Sequence, residues 1–193
     1  EKDYIFDYGS DNLIYTVPGE TYVQMDVSGS STCFRIPMDA GSCEDCVVIQ
    51  TYQDSICWGG RIETITNISI VESTEDFEDI QGPTILLYQE NSIIDGAFII
   101  NDGSAILPNQ DLIISLSDES GINLMETIGH GIRYTFDNEN LTLIPGSEFI
   151  YTDCSTGSVI IPIPLSLSIG KHEFYLEAWD GLNNKSTVEI YLD

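Results

Sequence analysis

Two residues of this chain have the chemistry of a nucleophile and its base. His130 lies in TIGHGI, and Cys154 lies further on in YTDCSTG. A nucleophilic cysteine needs an imidazole beside it and donors that hold the developing oxyanion. An apolar strand running into Gly-His-Gly could present such a histidine. The residues that follow argue otherwise, because a motif counts only in its structural context. IRYTFDNENLTLIP reads as a hairpin with Asp137, Asn138, Glu139 and Asn140 at its tip, and DCSTG reads as a turn between two strands. No helix flanks either residue, as an α/β hydrolase would require. Gly129 and Gly131 are therefore expected to make a tight bend, with His130 hydrogen-bonding across it. A stand-alone cysteine hydrolase using His130 and Cys154 stays as a rival, to be ended by a Cys154→Ala variant that leaves activity untouched.

Acidic turns are the next candidates. Asp118 and Glu119 in SDESGIN, and Asp180, Asn183 and Asn184 in AWDGLNNKS, each follow a core-type strand. If both turns lie at one end of a sandwich, Asp118, Asp180 and Asn183 could supply oxygens to Ca²⁺, the one candidate cofactor. The simpler role is that Asp118 and Asp180 cap their own turns. No EF-hand spacing is present.

Cys33, Cys43, Cys46 and Cys57 cluster in one segment and are the disulfide candidates; four cysteines allow three pairings. A zinc site is the weaker choice, because there is only one C-x-x-C knuckle. Redox chemistry by CEDC is weaker still, since Glu44 and Asp45 would raise the thiol pKa values. His172 shares a face with Phe174 and should pack at a sandwich edge. Asn67, Asn140 and Asn184 head N-x-[S/T] sequons, which arise readily by chance in Ser/Thr-rich chains. No phosphate loop, H-E-x-x-H or G-x-S-x-G occurs.

The elements that must position these residues are strands. β-Branched and aromatic runs such as LIYTV, TYVQMDV, CVVIQTY and RIETITNISIV alternate with Gly, Ser, Asp and Pro. No amphipathic helical stretch interrupts them. In the second half, Leu112, Ile114 and Leu116 share one face. Phe174, Leu176 and Ala178 oppose Glu173, Tyr175 and Glu177, and Val188, Ile190 and Leu192 oppose Glu189 and Tyr191. Period-2 alternation gives one dry and one wet face, as in each sheet of a sandwich. The fold class is all-β: two β-sandwich domains, the second immunoglobulin-like with about seven or eight strands. Residues 1–73 form the first domain, with the four cysteines; 74–83 form an acidic linker; 84–193 form the second domain. DGLNN should be the last hairpin turn.

Bulk properties exclude several partners. The chain has 193 residues, 42% of them hydrophobic, and a mean hydropathy of +0.00, enough for a sizeable core. Six Lys+Arg against 32 Asp+Glu give a net charge of −26. Such a surface repels phosphate, so nucleic acid and anionic membrane are poor partners. No apolar run reaches a membrane span, so no membrane insertion is expected. EKDYIFDYGS has neither the basic nor the apolar region of a leader, so processing or fragmentation is expected.

Three segments of the second half carry a family resemblance. They are DIQGPTILLY (Asp79–Tyr88), the stretch Leu116–Ile132 holding LSDESGIN and TIGHGI, and GKHEFYLEAWDGLNNKS (Gly170–Ser186). In this order and spacing they resemble the immunoglobulin-like region downstream of the catalytic domain in gingipain-type cysteine peptidases, most of all the sortase-like surface peptidase of type IX secretion. The likeness covers about residues 79–193. GETYVQMDVSGSSTCFRIPMD resembles a strand pair of the intervening β domain, though the four cysteines depart from the family pattern. The resemblance implies that the catalytic His and Cys belong to a separate upstream α/β domain. IGHGI then matches a non-catalytic stretch, Cys154 falls in a variable turn, and no catalytic residue is carried over. It further implies an extracellular or cell-surface location, and no enzyme activity in this chain by itself. The implied partners are the upstream peptidase domain of the same protein, with secretion-system or surface proteins beyond it. The alternative is a tandem immunoglobulin-like adhesin or carbohydrate-binding module, for which Tyr88, Tyr134, Tyr151 and Tyr175 are the candidate aromatics.

Overall fold

The computed structural model of the chain describes residues 2–8, 11–17, 36, 43–54, 61–70, 78–91, 96–107, 110–126, 130–165 and 167–193. Strands dominate, and no α-helix occurs among the described residues, so the all-β expectation holds. The chain divides into two compact units, Glu1–Thr21 with Ala40–Phe77, and Tyr22–Asp39 with Glu78–Asp193. In the first unit, β1 (Lys2–Tyr8) pairs antiparallel with β2 (Asp11–Val17). β3 (Cys43–Asp54) pairs antiparallel with β4 (Arg61–Ile70), with a shift of register between Cys43 and Val47. Such a shift adds residues to one strand and bends it locally.

The second unit runs β5 (Thr84–Asn91), β6 (Gly96–Ile99), β7 (Leu112–Ser117), β8 (Ile132–Phe136), β9 (Thr142–Ile144), β10 (Ile150–Tyr151), β11 (Thr156–Ile161), β12 (His172–Trp179) and β13 (Lys185–Leu192). One sheet has the order β10-β11-β7-β5-β6, the other β13-β12-β8-β9. With β5, β7, β8, β9, β10, β11, β12 and β13 taken as A, B, C, C′, D, E, F and G, these are the two sheets of an immunoglobulin sandwich; β6 adds an edge beside A.

The period-2 pattern sets the core. Leu112, Ile114 and Leu116 from β7 face Phe174, Leu176 and Ala178 from β12, all buried. Leu192 is buried with them, and Val188 and Ile190 pack at the margin. Fully burying each large side chain is worth roughly 1.5–3 kcal/mol. Phe136 and Phe174 meet at 5.0 Å, and Phe149 meets Tyr151 edge-on at 4.9 Å. Gly157 on β11 is required by that second pair, because a Cβ there would overlap the Phe149 ring.

The connections follow their turn residues. Asp137 and Asn138 adopt left-handed φ of 51° and 57° and close the β8–β9 hairpin, a conformation Asn and Asp tolerate best among non-glycine residues. Gln89 is fully buried and holds the loop before β7. Its Nε2 donates to the Leu107 and Gln110 carbonyls, and its Oε1 accepts from Leu107 N–H at 2.7 Å.

Candidate functional site

Three carboxylates converge at one end of the sandwich. Asp79 precedes β5, Asp118 follows β7 and Asp180 follows β12, and one oxygen of each lies within 4.8 Å of the others. Backbone contacts bring the three segments together. Ile122 and Asp180 form an isolated antiparallel bridge, and Gly181 N–H donates to the Gly121 carbonyl at 2.9 Å. Gly181 lies so close to the Ser120 carbonyl that a Cβ would overlap it. Gly82 similarly sits on the Lys185 backbone, where a Cβ would come within 2.5 Å of the carbonyl carbon. Asn184 ties the ends together: its Nδ2 donates to the Asp79 carbonyl at 2.9 Å and to Asp180 Oδ2 at 2.8 Å.

Each carboxylate also organises its own turn. Asp180 is fully buried, and its Oδ1 accepts from Leu182 N–H at 2.9 Å and Asn184 N–H at 2.6 Å. Asp118 Oδ1 accepts from Ser120 N–H at 2.8 Å and Ser120 Oγ at 2.6 Å. Asp79 Oδ1 accepts from Gln81 N–H at 3.0 Å. Burial raises the Asp118 pKa above the ordinary carboxylate value. The Ser120 hydrogen bonds pull it down, and the neighbouring Asp180 and Asp79 charges push it further up. A cation between like charges this close would relieve their repulsion. An all-oxygen set of carboxylates suits a hard divalent cation such as Ca²⁺.

Asp118 and Asp180, named from the sequence, thus lie together and cap their turns. Asn183 is engaged differently: it has φ of 68°, and its Oδ1 accepts from Asn123 Nδ2 at 3.0 Å. Asp79 carried no sequence signal, because it lies within the stretch assigned as a linker.

The catalytic pair does not survive. Cys154 is disulfide-bonded, so its sulfur is no thiolate and cannot attack a substrate. It sits in a turn where Asp153 Oδ1 accepts from Ser155 N–H and Thr156 N–H, both at 2.8 Å. Cys33 and Cys57 lie outside the described residues, as do the side chains of Cys43 and Cys46. His130 packs edge-on against Trp179, ring centres 5.6 Å apart. Gly131 has φ of +81°, which favours glycine; Gly129 lies outside the described residues. His172, at the start of β12, pairs with Asp137.

The four candidate tyrosines are dispersed. Tyr151 is in the core and donates to the Ile122 carbonyl, Tyr134 packs on Phe136 and Phe174, and Tyr175 donates to Glu177. Tyr88 faces outward from the other sheet, opposite Ile99 and Ile113.

No protein-family model matches the chain, and no curated protein matches it. Among solved structures, the chain is similar to dimeric latent PorU from Porphyromonas gingivalis, with a TM-score of 0.50 and 21% identity. The match covers 75% of this chain and 14% of PorU. At that identity the likeness carries the fold, and this chain corresponds to a small part of the length of PorU. Among the described residues, no helix is long and apolar enough to cross a membrane.

Proposed function

We propose that this chain is a non-catalytic accessory region of a larger gingipain-like cysteine peptidase, secreted or held at a bacterial cell surface. The observation that carries this reading is the immunoglobulin sandwich of Glu78–Asp193. It is built on the three segments whose sequences resemble that family, and three quarters of the chain is similar in fold to part of PorU. The action is mechanical: the module supports and spaces the catalytic domain and offers it a rigid face. The carboxylate trio and Asn184 fix the strand ends at one pole, which suits a load-carrying spacer.

The test is activity of the chain alone. Assayed on peptide substrates with and without reductant, it is expected to hydrolyse none. Hydrolysis under reducing conditions that disappears in a Cys154→Ser variant would replace the accessory role with a hydrolase.

A further inference from the structure

The two outward faces of the sandwich have opposite chemistry. The face of the four-stranded sheet is ionic. Glu177 lies 3.6 Å from Arg133 and 3.5 Å from Lys185, and Lys171 sits 3.8 Å above the Tyr191 ring. Groups of both signs meet there, as on an ordinary water-facing sheet.

The face of the five-stranded sheet is polar at one end, in the row Thr84, Ser117 and Thr156, and largely apolar towards the other. Register places Ile99, Tyr88, Ile113 and Ile160 in one row across β6, β5, β7 and β11. The next row holds Leu86, Ser115, Ser158 and Ile150. Leu86, Ile99, Ile150 and Ile160 are 52%, 64%, 57% and 53% exposed, values that belong to a surface and not to a core margin. A shallow groove crosses the patch. The charged residues lining it are Glu90 and Glu148, both acids. Scattered surface isoleucines need no explanation, but an unbroken cross-strand apolar row beside a groove whose charged lining is acidic points to an interaction site.

We propose that this outer face is the docking surface for a separate protein, one presenting an apolar centre edged by lysine or arginine. The rim decides the occupant. A second copy would set Glu90 and Glu148 near their counterparts, on chains each carrying −26, and like-charge juxtaposition opposes that contact. A basic rim meets both acids and is steered in by the whole field. The inference stands whether or not the parent protein is a peptidase.

The experiment uses the 193-residue chain with isoleucine methyl groups labelled for NMR. The probe is a synthetic peptide alternating valine or leucine with lysine, and its control carries glutamate in place of lysine. The lysine peptide is expected to shift the Ile99, Ile113, Ile150 and Ile160 methyl signals, and the glutamate peptide to bind at least about tenfold more weakly. An Ile99→Ser/Ile160→Ser variant keeps every charge and is expected to lose about tenfold or more in affinity. Glu90→Lys/Glu148→Lys is expected to reverse the peptide preference. Three results would overturn the proposal: shifts confined to other isoleucines, full affinity in the double serine variant, or self-association in sedimentation that the serine variant abolishes.

Discussion

Asp137 Oδ2 lies 2.6 Å from His172 Nδ1, fastening the tip of the β8–β9 hairpin to the start of β12. The other ring nitrogen, Nε2, lies 2.9 Å from the Ser168 carbonyl. Both neighbours are acceptors, an arrangement that favours the imidazolium, in which both ring nitrogens donate. The Asp137 hydrogen bond, followed by that of Ser168, raises the His172 pKa above its ordinary value. The same His172 hydrogen bond leads in lowering that of Asp137.

Stability should therefore depend on pH with a definite sign. The folded pKa of His172 is above its unfolded value of about 6.5. Its contribution is complete below about pH 6.5 and is lost as pH rises through the folded value. The Asp137 contribution is present above its unfolded pKa and is lost as pH falls through the lowered one. A His172→Gln variant is expected to be less stable by about 0.5–1 kcal/mol near pH 6, after solvent screening of this partly exposed pair. The difference should narrow at higher pH. Urea midpoints across that range measure it, and a gap that does not change with pH would contradict the pairing.

The carboxylate trio responds in a related way. Burial raises the Asp118 pKa, with the Asp180 and Asp79 charges adding to it. Its favourable contribution is thus present below the unfolded carboxylate pKa and is lost as pH rises through the folded one. Asp118→Asn is expected to be neutral to stabilising at pH 7 in metal-free buffer and to remove this pH dependence. The same two proteins test calcium. A Ca²⁺ site at this pole requires the wild-type melting temperature to climb with added Ca²⁺ while that of Asp118→Asn does not. No climb in the wild type would leave turn capping as the whole role of the trio.

Gly181 leaves no room for a side chain at that pole. Gly181→Ala would put a Cβ into the Ser120 carbonyl. The two turns that carry Asp118 and Asp180 would have to separate. A loss of about 1–3 kcal/mol is expected, the usual cost of overpacking. Gly103→Ala has no neighbour within 4 Å to strike, and only its φ of +77° opposes it. Denaturant midpoints of the two variants separate steric overlap from backbone strain.

Cys154 should appear in a cross-linked peptide. The disulfide removes it from nucleophilic chemistry. One of the four other cysteines is its partner. Non-reducing digestion and mass spectrometry should recover the two together. A free Cys154 thiol in the oxidised protein would contradict the assignment.

The sequence made the core legible because it alternates. Leu112, Ile114 and Leu116, and Phe174, Leu176 and Ala178, have a wet partner at nearly every second position. The turns were legible for a related reason, since Asp137-Asn138 and Asp180-Gly181 have the residues such turns require. The apolar outer face was not legible. In TILLY and DLIISLS, apolar residues point both ways, and such runs look the same whether the second face meets water or a partner. Asp79 was hidden by separation: Asn184, with which it makes contact, lies 105 residues away, and nothing local in ESTEDFEDIQGP marks one acid above the rest. Cys154 stood apart from the cysteine cluster, and spacing alone does not predict a long-range pair.

The most direct test of the accessory role is to identify the native polypeptide that contains this chain. An antibody raised against Glu78–Asp193 would isolate it from the producing cells, and peptide mapping would read what precedes Glu1. The account predicts an upstream α/β domain on the same polypeptide, with its own Gly-His-Gly and a cysteine after a hydrophobic strand. A polypeptide carrying only further immunoglobulin-like repeats, or no additional domain, would contradict it and put the adhesin in front.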